Sequence, residues 1–404
     1  VQKRHAILAT TQDVRRAAET GDAVIVDVRP DAQYNGWKLF DEPRGGHIPG
    51  AVHVPVNEWF TDDCTLKPGE HLLEIWKEKG ISADKSLIFY STFGLQSGFA
   101  CCVAENLGYE SYAQYDGSFY EWADNSPLPV REAAPNYSML YPVSLLREDV
   151  SNNNDDIVIL DCRSRDRYES GHIPGAVHMR WQELSESLLP NNMFDSALMK
   201  KTAGNHGITG SETLVIYSDV TGSWGGDGRL LWSLQYLGHS DVRILNGGFY
   251  AWERSGGMVE TDNCTFETAV YSGSVDSGVY ADQEYVYSML ENDSAVIIDA
   301  RTDSEYAGAA LYGEARGGRI PGAVQINYDE LFDTDRTLKD PDTLYADFIQ
   351  KGVTREKEFI VYCTSGIRSA YLYFVLKLLG YPRVRNFDGS WYEWAADAQM
   401  PVEK

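Results

Sequence analysis

A single short loop carries the residues in this sequence that are best suited to covalent chemistry. The apolar run 359–362 ends at Cys363, and the residues after the cysteine are Thr364, Ser365, Gly366, Ile367, Arg368 and Ser369. A thiolate is a strong nucleophile, and backbone N–H groups at a helix start lower the pKa of a nearby thiol. Glycine and hydroxyl residues let a loop curl around an anion, and arginine adds a forked positive charge. The loop therefore predicts a nucleophilic Cys363 with substrate-binding groups at 364–369.

The frame around this loop occurs three times, and the other two copies lack the thiol. Ser91 and Ser218 stand where the third copy has Cys363. The first and third copies keep a constant offset of 272 positions over four landmarks: Asp27, His47, Ser91 and Trp122 against Asp299, Arg319, Cys363 and Trp394. The landmarks of the middle copy are Asp161, His172, Ser218 and Trp252. The chain is therefore a threefold repeat in which only the last copy offers a sulfur nucleophile.

Each copy has the same order of secondary-structure signals. An apolar β-type run ends in Asp-x-Arg, a Gly-x-Ile-Pro-Gly-Ala turn follows, and a second β-type run leads into the cysteine or serine loop. An apolar helix then ends at Leu-Gly, and a short strand precedes an aromatic turn that ends in Trp. Strands that alternate with helices imply a parallel sheet with helices on both faces. We predict an α/β protein of three tandem domains, at 1–131, 137–262 and 276–404, separated by polar segments.

The composition restricts the partners of the protein. The chain has 404 residues, of which 43% are hydrophobic and 24% charged, with a formal net charge of −25. These values are typical of a globular protein, and the acidity argues against nucleic acid and anionic membrane surfaces. No run approaches the roughly 18 to 20 apolar residues of a spanning helix, which argues against membrane insertion. A small anionic substrate remains compatible with this net charge, because the electrostatic field of the whole protein is screened beyond about 10 Å.

These motifs, together and in order, resemble the rhodanese domains of sulfurtransferases. The Asp-x-Arg, the Gly-His-Ile-Pro-Gly-Ala turn, the cysteine loop and the aromatic turn carry the resemblance over nearly the whole chain. Two thiol-free copies before one copy with cysteine resemble the three-domain thiosulfate sulfurtransferases of bacterial envelopes. The resemblance implies transfer of sulfur from a small donor such as thiosulfate to cyanide, a thiol or a protein acceptor, through a persulfide on Cys363. It implies no cofactor, and it favours a periplasmic or otherwise exported protein over a cytoplasmic one.

The resemblance also assigns roles to residues outside the loop. In the two-domain thiosulfate enzymes an arginine soon after Asp-x-Arg helps to hold the substrate anion, but this sequence has Glu305 there. Arg316 and Arg319 are candidates for anion binding in compensation, with a structural turn as the alternative. Asp299 and Arg301 are expected to form an internal brace beneath the loop.

Two other classes of function stay open. Phosphatases of this fold and arsenate reductases also place a cysteine before a loop that ends in arginine. In the phosphatases five residues intervene, whereas four separate Cys363 from Arg368. The shorter cradle favours a single sulfur atom over a tetrahedral phosphoryl group. The second alternative is a persulfide carrier or an interaction scaffold built on rhodanese units. We expect the two serine copies to be structural, and the third site to lie in a cleft lined by a neighbouring copy.

The other cysteines do not form a zinc-binding pattern, because no Cys-x-x-Cys pair occurs. Cys101 and Cys102 lie in an apolar helix, and Cys162 lies at a strand end, so all three are predicted to be buried. Cys64 and Cys264 lie in polar segments, and in an oxidising compartment they could form a disulfide.

Overall fold

Each of the three copies folds into one five-stranded parallel sheet in a computed structural model of the chain. The structure describes residues 8–61, 63–82, 84–132, 134–185, 195–262, 264 and 267–404. The chain divides into two compact units, one that ends at Tyr137 and one from Ser138 to Lys404. The first unit holds the first copy, and the second unit holds the other two.

The helices and strands follow the same order in each copy. In the first copy they are β1 Leu8–Ala9, α1 Thr11–Thr20, β2 Val24–Asp27, α2 Asp31–Tyr34, β3 Val52–His53, α3 Gly69–Glu78, β4 Leu87–Tyr90, α4 Leu95–Asn106, β5 Tyr112–Tyr115 and α5 Ser118–Asp124. In the second they are β6 Leu140–Tyr141, α6 Val143–Asn152, β7 Ile157–Asp161, α7 Arg165–Ser170, β8 Val177–His178, α8 Ser196–Asn205, β9 Thr213–Tyr217, α9 Gly226–Tyr236, β10 Val242–Leu245 and α10 Gly248–Arg254. In the third they are β11 Tyr280–Ala281, α11 Gln283–Ser288, β12 Ala295–Asp299, α12 Asp303–Tyr306, β13 Val324–Gln325, α13 Pro341–Gln350, β14 Glu358–Tyr362, α14 Arg368–Leu378, β15 Val384–Phe387 and α15 Ser390–Ala396.

The three sheets share one strand order, and their paired strands are parallel. The orders are β1-β5-β4-β2-β3, β6-β10-β9-β7-β8 and β11-β15-β14-β12-β13. In the third sheet β14 is central, because it pairs with β12 along one side and with β15 along the other. The prediction of three tandem α/β domains is confirmed.

Strand β14 is apolar on both faces because the sheet is covered on both sides. Ile360 and Tyr362 pack into a core cluster that also contains Trp391 and Trp394. The alternate residues Phe359 and Val361 point to the other face and are fully buried there. Each large apolar side chain buried in this way contributes about 1.5–3 kcal/mol to stability. The strand that carries the cysteine loop is therefore held firmly in place.

Helix α14, which follows that loop, packs against α9 of the second copy. Gly228 in α9 allows the close approach: a Cβ atom there would lie 2.5 Å from the Cα of Tyr371 in α14. Because α14 lies between α9 and the strands β14 and β15 of its own sheet, ten of its eleven residues are buried. The expected close packing of neighbouring copies is therefore found between the second and the third.

Glycine ends the helix after each loop, as the Leu-Gly pattern predicts. Gly108, Gly238 and Gly380 have φ values of +86°, +88° and +78°, which are left-handed conformations that glycine adopts without steric cost. The longest helix among the described residues, α4, has 12 residues. In that part of the chain no helix combines the length and apolar character needed to cross a membrane.

Candidate active site

The loop after β14 presents Cys363 between a strand end and a helix start. The backbone of the cysteine is fixed by the aromatic turn, since Trp391 N donates to Cys363 O at 3.0 Å and Cys363 N donates to Ser390 Oγ at 3.2 Å. The side chain is a free thiol with 1% exposure, and it lines a cavity of about 220 Å³. A small reagent in this cavity therefore meets the sulfur directly.

The surroundings of Cys363 favour its thiolate. Burial opposes ionisation, but the positive charge of Arg368 and hydrogen bonds from Ser369 and from the backbone of Ser365 outweigh it and lower the pKa of the thiol. The hydroxyl of Ser369 donates to Cys363 Sγ at 3.6 Å. The sulfur is thus prepared as a nucleophile, and no histidine is among the described residues that line the cavity.

The charge of Arg368 is shared with a buried carboxylate. Arg368 Nη1 and Nη2 donate to the two carboxylate oxygens of Glu305 at 2.8 and 2.7 Å, and Thr364 Oγ1 donates to Glu305 at 2.6 Å. Although burial opposes it, these bonds lower the pKa of Glu305 to about 2, so the residue is ionised. Arg368 is therefore largely neutralised by Glu305, and the loop is a weaker anion cradle than its sequence predicts.

Aromatic side chains form the wall of the cavity above the thiol. Tyr312 and Tyr392 come from the third copy, and Trp224 comes from the long loop of the second copy. Trp224 has a left-handed φ of +56°, which is costly for a non-glycine residue, and its ring meets the Tyr312 ring edge-on at 5.5 Å. The hydroxyl of Tyr392 donates to the Tyr312 carbonyl at 2.8 Å. The site is therefore a cleft between two copies, as the sequence predicts.

The other predicted loop residues divide into two groups. Thr364, Ser365, Ile367 and Arg368 line the cavity with the cysteine, and Ser369 donates to the sulfur. Gly366 is buried, and its carbonyl accepts hydrogen bonds from Asn386 and from Arg229 of the second copy. The loop thus presents side chains to the cavity, while its glycine is anchored behind them.

The structure does not support the anion-binding role considered for Arg316 and Arg319. The guanidinium of Arg316 donates to four backbone carbonyls at 394–400, and Arg319 pairs with Glu403 and lies over the Tyr306 ring. Neither residue lines the cavity. Both arginines connect the segment before β13 to the C-terminal part of the third copy. The insert that contains Arg316 contributes Tyr312 to the cavity instead.

Asp299 and Arg301 form a brace beneath the loop. Arg301 donates to both carboxylate oxygens of Asp299 at 2.7–3.1 Å and to the Gly318 carbonyl at 2.8 Å, and Tyr362 donates to Asp299 at 2.6 Å. The same contacts occur in the other two copies, around Asp27 and around Asp161. Because thiol-free copies keep it, the brace belongs to the fold and not to the chemistry.

Hydroxyl groups replace the nucleophile in the other two loops. Ser91 Oγ accepts from Gly94 N at 3.0 Å, and Ser218 Oγ donates to the buried carboxylate of Asp227 at 2.8 Å. Burial raises the pKa of Asp227 to about 6. Both serines are used in local hydrogen bonds.

The remaining cysteines are free thiols. Cys101 and Cys162 are buried as predicted, but Cys102 is exposed, because it lies on the outer side of α4. Cys64 and Cys264 are unpaired, so the disulfide allowed by the sequence is not formed in this structure.

The sequence model of the Rhodanese-like domain family matches the chain three times, at residues 10–125, 145–255 and 282–397. Among curated proteins, the sulfur carrier protein TtuD of Thermus thermophilus is 33% identical over 250 residues, which are 59% of this chain and 87% of that protein. The thiosulfate sulfurtransferase of Corynebacterium glutamicum is 33% identical over 255 residues, 58% of this chain and 81% of the relative.

Solved structures similar to the whole chain include an enzyme of anaerobic ergothioneine biosynthesis from Chlorobium limicola, in complex with its natural substrate trimethyl histidine. It is 26% identical, with a TM-score of 0.79, over 99% of both chains. A variant of the enzyme EanB that carries a cysteine persulfide, with ergothioneine in a tetrahedral intermediate state, is 27% identical with a TM-score of 0.77, over 98% of this chain and 99% of that one.

Proposed function

The chain belongs to the rhodanese-like family of sulfurtransferases, and from this premise we propose that it transfers sulfane sulfur through a persulfide on Cys363. The proposed donor is thiosulfate or a similar small sulfur compound. The proposed acceptor is thiophilic, such as cyanide or a thiol.

The reaction proceeds in two covalent steps. The Cys363 thiolate attacks the outer sulfur of thiosulfate, the sulfur–sulfur bond of the donor breaks, and sulfite leaves with the electron pair. The acceptor then attacks the outer sulfur of the persulfide, and the bond between the two sulfur atoms breaks to restore the thiolate. Each step exchanges one bond to sulfur for another, so no external oxidant or reductant is needed. Double-displacement kinetics are expected.

One observation carries this proposal: Cys363 is free, has a lowered pKa and faces an accessible cavity. A buried thiol without such support behaves differently, as Cys162 shows. There burial dominates and raises the pKa of the thiol.

The cavity also argues against hydrolysis of a phosphate ester. A phosphoryl group needs several free donors around its oxygens, yet Arg368 is the only cationic residue among the described lining residues and it is paired with Glu305. Thiosulfate is also a tetrahedral dianion, but the intermediate that it leaves on Cys363 is a single sulfur atom, which needs no such cradle. The geometry therefore favours sulfur transfer over a phosphatase.

The aromatic wall favours a second candidate acceptor, an organic cation. Trp224, Tyr312 and Tyr392 line the cavity together with Cys363 and Arg368, and the charge of Arg368 is paired with the buried carboxylate of Glu305. Ring faces attract cations with about 0.5–2 kcal/mol each. Trimethyl histidine, the substrate of the Chlorobium limicola enzyme, carries a quaternary ammonium group and is the compound to test. As an acceptor it would exchange a ring C–H bond for a C–S bond, its proton would go to solvent, and the persulfide S–S bond would break to restore the Cys363 thiolate.

Intact-mass measurement of the protein after treatment with thiosulfate, and separately with mercaptopyruvate, tests the proposal. We expect the gain of one sulfur atom, and its loss when cyanide, a thiol or trimethyl histidine is added. The gain should be abolished in Cys363→Ser and kept in Cys102→Ser, the matched control with an exposed thiol. Uptake without release to any small acceptor would identify a carrier, and no uptake from either donor would favour a scaffold.

A further inference from the structure

Arg229 is a buried arginine of the second copy that reaches into the third copy. It lies in α9, its side chain has 0% exposure, and its guanidinium stacks on the Trp232 ring at 4.6 Å. Arg229 Nη1 donates to the Gly366 carbonyl at 3.2 Å, and Nη2 pairs with Asp388 Oδ1 at 2.5 Å. A residue from a copy without a thiol thus contacts the cysteine loop from behind.

Arg229 contacts the peptide group of Gly366, at the point where the cysteine loop turns. Gly366 has a left-handed φ of +79°, and a Cβ atom there would lie 2.6 Å from the Asp388 carbonyl and 2.8 Å from Arg229 Nη1. The Gly366 carbonyl also accepts from Asn386 Nδ2 at 3.3 Å. Gly366 is therefore enclosed between the segment 386–388 and Arg229, with no room for a side chain.

The position of this peptide matters because the groups that support the Cys363 thiolate lie on either side of it. The backbone of Ser365 precedes Gly366, and both the backbone and the hydroxyl of Ser369 follow it. A change in the Gly366 peptide moves these donors relative to the sulfur. Hydrogen bonds weaken steeply when their angle falls below about 120°, so a change in this peptide lowers the support that these donors give to the thiolate.

The arrangement depends on the second copy, because Arg229 lies in its helix α9. In helix α14, which follows the cysteine loop of the third copy, Tyr371 packs against Gly225, the residue just before α9, and against Gly228 in α9. The two helices thus cross closely enough for Arg229 to pass from one domain to the loop of the other.

We propose that Arg229 is a positioning residue for sulfur transfer, which acts through Gly366 and Asp388 to hold the cysteine loop in its reactive shape. This inference rests on the proposed function of Cys363. It gives the thiol-free second copy a defined part in the reaction, in addition to the contribution of Trp224 to the cavity wall.

The test measures the reactivity of Cys363 in the full-length protein without any sulfur donor. The rate of alkylation by iodoacetamide is followed against pH, and the Cys363 peptide is quantified by mass spectrometry so that other thiols do not contribute. Arg229→Met is expected to slow alkylation at neutral pH by roughly tenfold, the equivalent of about one pKa unit. Arg229→Lys, which keeps the charge but not the forked donors, should fall between this variant and the wild type.

A double variant and a control distinguish a positioning role of Arg229 from a purely structural one. Arg229→Met with Asp388→Asn removes both charges of the pair, so it should recover much of the thermal stability while alkylation stays slow. Arg243→Met breaks an ion pair with Asp241 inside the second copy and should leave alkylation unchanged. Wild-type alkylation in the double variant, or in a folded Arg229→Met protein, would overturn the inference. If the wild type never takes up sulfur while Arg229→Met still slows alkylation, only the proposed function fails.

Discussion

Replacing Glu305 by glutamine should make the protein less stable but easier to load with thiosulfate. Glu305 forms a forked ion pair with Arg368 and is fully buried. Its pKa is lowered from 4.5 to about 2, which at 1.36 kcal/mol per unit corresponds to roughly 3 kcal/mol. Because the folded-state pKa is depressed, this stabilisation is present above pH 4.5 and is lost as the pH falls through about 2. We expect Glu305→Gln to lower the free energy of unfolding by about 2–3 kcal/mol at pH 7.

The effect on loading has the opposite sign. In Glu305→Gln the charge of Arg368 is no longer compensated, and a unit charge at 5 Å interacts with an anion by about 3 kcal/mol at an effective dielectric constant of 20. If about half of this reaches the donor, the thiosulfate concentration for half-maximal loading falls roughly tenfold. The pKa of Cys363 should also fall further, because Arg368 already lowers it.

The assay is single-turnover loading followed by intact mass, together with urea unfolding. Glu358→Gln is the matched control, since Glu358 pairs with Arg385 at the far end of β14. The control should lose some stability and leave loading unchanged. Slower loading in a folded Glu305→Gln protein would refute the reasoning, because it would mean that Glu305 orients Arg368 for the donor instead of neutralising it.

Two further substitutions test other parts of the account. Trp224→Ala should weaken binding of trimethyl histidine, measured by calorimetry, by up to roughly tenfold, as expected for one lost cation–π contact. Loading with thiosulfate, measured by intact mass, should stay within about twofold. Slower loading with unchanged binding of trimethyl histidine would contradict the place of Trp224 in the cavity wall. Asp227→Asn should raise stability above pH 6 by on the order of 2 kcal/mol. Because burial raises the pKa of Asp227 in the folded protein to about 6, the neutral form of Asp227 favours the folded state. This contribution to the free energy of unfolding is fully present below about pH 4 and is lost as the pH rises through about 6. Urea unfolding at pH 5 and pH 8 measures this difference, and an unchanged pH dependence in the variant would show that another group causes it.

The repeated fold could be predicted from the sequence because its signals are local. The strands alternate with helices in a fixed order, and the constant offset between Ser91 and Cys363 aligns two copies directly. The position of Cys363 between a strand end and a helix start could be predicted for the same reason, since the strand, the glycine loop and the helix are adjacent in the chain. The roles of Thr364 to Ser369 remain predictions until variants are measured, and so does an exported location.

The rest of the site depends on contacts between distant segments. The pairing of Glu305 with Arg368 joins positions 63 residues apart. The sequence Thr302-x-x-Glu305 instead indicates a helix cap, and that cap is also present. Trp224 and Arg229 reach the site only because α9 packs on α14. The sequence makes Arg316 a candidate for anion binding because its actual partners are backbone carbonyls, which no sequence pattern marks.

The central claim is that Cys363 itself carries the transferred sulfur, and isotopic labelling tests it most directly. The protein is treated with thiosulfate labelled in its outer sulfur, digested under non-reducing conditions, and its peptides are weighed; a second portion is first treated with cyanide or a thiol. The account predicts that the label is found on the Cys363 peptide alone and then moves to the acceptor. Label on another cysteine, or on no peptide at all, would contradict it.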